Sequence, residues 1–257
     1  METSQAIQAN LALEAVIVNA IVNQPRSQQT LIGPSEIGTD CLRCLARKLA
    51  GMERDKPQNI NDVPWLPFLG TAMHAMLEGF FEADNSNYES PRWLIENRVN
   101  IGNIGDKEIT GSCDLFDTVT KTVIDHKLVG ATKLAKVAKK GPGAMYRVQA
   151  HLYGYGWTRQ GQEVENVAIK FYPRNNVSMA AGAFWHEPYN EKIATVAMAR
   201  ANEIFEKVTN TDDLNEYLRT LPTDSECFSC SEYPSLDPVV AAIEDDLFTQ
   251  PTPFNKR

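Results

Sequence analysis

β-Branched and apolar residues dominate two adjacent runs, 109–119 and 122–129, separated only by Thr120-Lys121. That pattern predicts two buried antiparallel strands joined by a tight turn. Side chains alternate along a strand, so Asp125 and Lys127 share one face while Ile124, His126 and Leu128 share the other. Residues 143–157 carry the spacing of a helix, with Gln149 and Tyr153 one turn apart on a common face and His151 elsewhere. Upstream, the apolar stretch 68–81 predicts a helix bearing a single histidine, His74. Further helices are expected at 5–23, around Cys41-Leu-Arg-Cys44, and at 189–208. Strands are expected from Trp93 to Ile101 and from Glu165 to Pro173. A connector from Pro57 to Pro67 and a polar tail beyond Pro234 complete the pattern. With no internal repeat, 257 residues suit one domain, an α/β sandwich in which helices flank a mixed central sheet.

Chemistry enters with Asp114, Asp125 and Lys127. Two carboxylates can hold a hard divalent cation, and a lysine two residues beyond the second can orient or deprotonate an attacking water. An Asp-x-Lys triplet alone is weak, because charged residues alternate on the wet face of many strands. Here the flanks are apolar, and an unpaired buried acid and amine would be costly, so a bound cation with a phosphate would supply partners. A lone histidine on an apolar helix face is usually a satisfied core residue. His74 has another use, since a neutral imidazole can complete a carboxylate metal site. His126 can offer its backbone carbonyl rather than its ring. Glu78, one turn beyond His74, reads as a helix-surface carboxylate, and Asp117 falls on the opposite strand face from Asp114 if the strand stays regular.

The ordered set of helix His74, strand Gly111-Ser-Cys-Asp114, strand Asp125-His-Lys127 and helix Gln149-x-x-x-Tyr153 resembles the RecB-like branch of the PD-(D/E)xK nuclease superfamily. The resemblance spans about residues 68–172 and points to the small stand-alone exonucleases of phages and CRISPR adaptation systems. It implies a restriction-endonuclease-like core binding Mg2+ or Mn2+ through His74, Asp114 and Asp125. Lys127 would serve the nucleophilic water, and Gln149 and Tyr153 would support the site or contact DNA. Asp125 stands where many relatives have glutamate. The activity implied is phosphodiester hydrolysis, as an exonuclease in phage recombination, replication or DNA turnover, in the host cytoplasm. A catalytically silent DNA-binding or assembly module on the same fold is the alternative.

Two CxxC pairs, Cys41/Cys44 and Cys227/Cys230, bracket this core, and Cys113 is the only cysteine left over. Four thiolates can form a tetrahedral cage that staples the chain ends. The resemblance pulls towards a 4Fe-4S cluster, which related nucleases hold with one cysteine ahead of the core and three behind. The two-and-two spacing pulls towards Zn2+. Disulfides are the bland alternative, with no secretory signal to support them.

The net charge of −8 argues against nonspecific adhesion to DNA, which depends on lysine and arginine displacing counterions. A local answer is the group Lys133, Lys136, Lys139, Lys140 and Arg147, between the Asp-x-Lys strand and the Gln149 helix, although a solvated connector has the same composition. Arg43, Arg47 and Lys48 form a second basic group. Trp65, Phe68 and Trp93 suit either stacking on the bases of a single-stranded end or core packing. The N-terminal apolar run contains Glu14 and lacks a basic lead, so it reads as a packed helix rather than a signal peptide, and no membrane partner is expected. Oligomeric state has no signature in the sequence.

Overall fold

The computed structural model describes residues 5–23, 32–54, 63–225 and 227–236. Most of the connector from Pro57 and the tail from residue 237 onward lie outside the described residues. In chain order the elements are α1 (Gln5–Val22), α2 (Pro34–Ile37), α3 (Leu42–Leu49), α4 (Trp65–Asn85), β1 (Trp93–Ile104), β2 (Lys107–Asp117) and β3 (Thr122–Val129). There follow α5 (Ala131–Lys140), α6 (Ala144–Arg159), β4 (Asn166–Pro173), β5 (Ala183–Pro188), α7 (Glu191–Asn210) and α8 (Leu214–Thr220).

The five strands form one mixed sheet in sequence order. β1 and β2 make a long antiparallel hairpin, and β2 meets β3 antiparallel through only three pairs, Leu115 with Ile124, Phe116 with Val123 and Asp117 with Thr122. Beyond those pairs the two strands part, leaving a fork in the sheet. β3 then runs parallel to β4 over eight register pairs, a connection that requires the α5–α6 crossover. β5 closes the edge antiparallel to β4. The hairpin end is pinned by Arg92, whose guanidinium donates two 2.9 Å hydrogen bonds to the buried carboxylate of Asp117.

α6 packs against β1, β3 and β4, with α7 lying over it, while α4 contacts β1 and β3. The Phe81 ring of α4 stacks on His126 of β3, with ring planes 8° apart. α6 approaches the sheet closely because it carries glycine where other side chains would collide. A Cβ on Gly156 would sit 2.7 Å from Val99, and one on Gly154 would sit 2.7 Å from the Tyr189 ring. Gly156→Val is therefore expected to destabilise the protein by about 2–3 kcal/mol through overpacking, read as a lowered midpoint in urea at unchanged slope.

Two sequence expectations change here. The basic connector is a helix, α5, with only Val137 of its ten residues buried. The N-terminal helix is present but not packed: Ile21 is its one buried residue, and Ile7, Leu11, Leu13, Val16, Ile17 and Val22 are exposed. Among the described residues it is the one helix long and apolar enough to cross a membrane.

Candidate active site

The fork between β2 and β3 collects the polar residues. Where a continued ladder would pair backbone with backbone, the carboxylate of Asp114 takes over and accepts the His126 backbone N–H at 2.7 Å. His74 reaches the same place from α4. Its Nε2 donates to the His126 carbonyl at 3.0 Å, so the carbonyl expected to face a metal is engaged by the imidazole. Its Nδ1 faces Asp114 at 3.5 Å and Glu96 at 3.6 Å.

Glu96 is the residue that the sequence pattern missed. It lies mid-strand in β1 opposite Asp114, at the one position in that stretch where the β1–β2 register has no pair, with a left-handed φ of 49°. For a non-glycine residue this conformation is strained, and such strain concentrates where function holds it in place. Ser112 secures the residue, its hydroxyl lying 2.7 Å from the Glu96 carboxylate and 3.0 Å from its carbonyl. Ligand atoms of His74, Glu96 and Asp114 all lie within 4.8 Å of one another. A glutamate between Ile95 and Asn97 in a strand looks like any solvent-facing residue, and only the missing register pair and the positive φ reveal it.

Burial opposes a charge on the His74 ring, yet Asp114 and Glu96 outweigh it and lift the imidazole to about 10. Burial would likewise raise Asp114, but His74 brings it below the ordinary carboxylate value. The proton on His74 thus supplies the positive charge that two facing carboxylates require.

Asp125 and Lys127 sit beside this cluster. Burial, strengthened by the nearby Asp114 charge, pushes Asp125 up to about 6 despite its lysine partner. The Lys127 ammonium donates to Asp125 Oδ1 at 2.9 Å and lies 2.7 Å from Oδ2 without hydrogen-bond direction to it. Burial alone would lower Lys127, but the charges of Asp125 and Asp114 hold it above its usual value, so it is a cation at neutral pH. From α6, Gln149 donates to Asp125 Oδ1 at 3.2 Å and stands 3.2 Å from the Tyr153 hydroxyl. One turn earlier, the Tyr146 ring lies under both Lys127, at 5.3 Å, and Lys133, at 4.9 Å.

The basic residues divide. Lys136, Lys139 and Lys140 are exposed on α5, and Lys133 reaches towards Lys127 across Tyr146. Arg147 is instead paired with Glu187 at 2.6 Å, beside the buried His151. Arg43 donates to the carbonyls of Leu218, Arg219 and Leu221, Arg47 to that of Pro234, and Lys48 pairs with Glu36, so the second basic group serves the fold. Trp93 is taken up by Asp84 and Phe81, whereas Trp65 packs on Phe68 and stays half exposed. Asp117 is held by Arg92, and Glu78 is not among the clustered ligands.

A second group lies where α3 meets the segment that follows α8. Cys41, at the start of α3, and Cys44 within it meet Cys227 and Cys230 of the 3-10 turn Phe228–Glu232. Burial and the neighbouring thiols push Cys44 far above its ordinary value and Cys230 up to about 11. Cys41 falls to about 7, because backbone N–H groups of Asp224 and Cys44 outweigh its burial. Several thiolates this close need a cation to neutralise them. Tyr233 packs beside them, with the Arg47 and Arg54 guanidinium groups over its ring at 5.1 and 5.7 Å.

No family model and no curated protein matches the chain. Among solved structures, its fold is similar to that of a phage related exonuclease from Haemophilus somnus 129PT, at 13% identity and a TM-score of 0.41, over 75% of this chain and 92% of that one.

Proposed function

We propose that the protein is a Mg2+- or Mn2+-dependent deoxyribonuclease acting as an exonuclease, with DNA turnover or recombination in a phage-infected or prophage-bearing cytoplasm as its setting. The observation that carries this reading is the convergence, in one fork of the sheet, of an imidazole and two carboxylates beside the pair of buried Asp125 and half-buried Lys127. Oxygen donors with one imidazole suit a hard or borderline divalent ion, and the proton on His74 occupies the electrostatic role that ion would take. His74, Glu96 and Asp114 would hold it, with Asp125 adjacent. The ion, when bound, would polarise the scissile phosphate.

The remaining work falls to the protein's own side chains. Lys127, kept protonated by Asp125, donates hydrogen bonds to a phosphate oxygen or to the attacking water and orients it. It acts as a positioning cation and not as the general base. Gln149 fixes Asp125, and Tyr153 fixes Gln149. Lys133, Lys136, Lys139 and Lys140 receive the nucleic-acid backbone where α5 leaves the site. The four-cysteine centre holds α3 against the C-terminal segment and takes no part in cleavage. End-labelled DNA incubated with the purified chain and Mn2+ should be shortened from an end, and EDTA should stop the reaction. Intact label under those conditions defeats the proposal.

A pH dependence follows from His74. Its imidazole must lose a proton to bind metal through Nδ1, so Mn2+ affinity is expected to rise up to about tenfold per pH unit from pH 6 to pH 8. Calorimetry in buffers of different ionisation enthalpy should register release of a proton. For the metal-free protein the sign reverses. A histidine with a raised folded-state value contributes stability that is complete below about 6.5 and is lost as the pH rises through about 10.

A further inference from the structure

The spacing of the four sulfurs measures the size of whatever they bind. Cys230 Sγ lies 3.3 Å from both Cys41 Sγ and Cys44 Sγ, and Cys227 Sγ lies 3.7 Å from Cys44 Sγ. All four sulfurs fall within 4.8 Å of one another. A regular tetrahedron of thiolates around one zinc ion, with bonds of about 2.3 Å, has edges of about 3.8 Å. In a four-iron cube each thiolate takes a separate iron at its own corner and points outward. Neighbouring sulfurs then stand apart by an iron–iron edge widened by two diverging bonds.

The cage here is too small for a cube. On the α3 side the surroundings are tight, because Cys41 is fully buried, Cys44 nearly so, and Tyr233 packs against them, while Cys227 and Cys230 are half-buried. Opening the cage to admit a cluster would require moving the start of α3 away from the turn carrying Cys227 and Cys230. That would also draw Arg47, which donates to the Pro234 carbonyl at 3.1 Å, off its partner. The cysteines come two from each side of the core, each pair separated by two residues, as in zinc knuckles.

We infer that Cys41, Cys44, Cys227 and Cys230 hold a single tetrahedral Zn2+ and not the 4Fe-4S cluster that the family resemblance implies. The centre is then without redox chemistry, and exposure to air leaves the fold unchanged. This inference stands apart from the nuclease reading, since it concerns neither His74 nor Lys127.

The test is to express the full chain in cells supplied with both iron and zinc, purify it under nitrogen and measure metals and absorbance. The expected result is one zinc per chain, iron far below one, and a colourless solution. Exchange of that zinc for Co2+ should give the intense visible bands of a tetrahedral thiolate site at one cobalt per chain. Four irons per chain with a brown colour would overturn the assignment. So would one iron per chain, or a metal-free chain that takes up neither zinc nor cobalt stoichiometrically.

Discussion

Lys127→Met is expected to lower the rate of DNA cleavage by about 10²–10³-fold, the usual cost of deleting one preorganised donor at a phosphate. Methionine keeps the length and apolar body of the side chain, so little cavity is created. The same change strips Asp125 of its ion-pair partner, however, and an uncompensated buried carboxylate costs about 3–5 kcal/mol. Loss of activity could then reflect unfolding. The double variant Asp125→Asn/Lys127→Met separates the two effects, because an amide carries no charge in need of a partner. It should recover most of the stability lost in the single variant while recovering none of the cleavage. Thermal melting followed by single-turnover cleavage of labelled DNA makes the comparison. Full activity in a folded Lys127→Met protein would remove lysine from the mechanism.

Cys230→Ser should act on stability without touching the fork. The Cys230 sulfur lies 3.3 Å from two of the other three, so the cage loses one of its two most connected ligands, the other being Cys44. In small metal-folded domains the metal contributes essentially all of the folding free energy. Here a separate hydrophobic core, running through Val99, Phe116, Leu152 and Ile169, is built without the cysteines of the cage. The loss should therefore be local before it is global. We expect bound metal to disappear and the melting temperature to fall by about 10 °C or more, the shift that a loss of 3–5 kcal/mol produces in a domain of this size. Protease should cut first between residues 223 and 236. Chelation of the wild type should reproduce the pattern, and unchanged metal content in the variant would contradict the cage.

The parts of this protein that the sequence made legible are those governed by local periodicity. The alternation in 122–129 placed Asp125 and Lys127 on one face, and their 2.9 Å contact follows from it. The helical spacing of Gln149 and Tyr153 likewise anticipated their contact. β5 is not legible in the sequence because it is a short edge strand ending at Pro188, with alternate residues exposed, and its pairing with β4 is a tertiary choice. α5 has the composition of a connector because its lysines mask the helical placement of Leu134 and Val137. Glu96 could not be found by period at all. Its role depends on a backbone irregularity, and that exists only once β1 lies against β2. The exposure of α1 escapes the sequence for the opposite reason, since apolar composition describes a helix without saying what will cover it.

The cysteine cage also orders events during synthesis. Its contacts join positions separated by 183 to 189 residues, so α3 finds its partner only after the whole sheet has left the ribosome. The hairpin, the fork and the α5–α6 crossover can all assemble before that moment, since their contacts close earlier in the chain. The cage therefore closes after the fork during biosynthesis, and a nascent chain halted before Cys227 would carry the fork but not the lock.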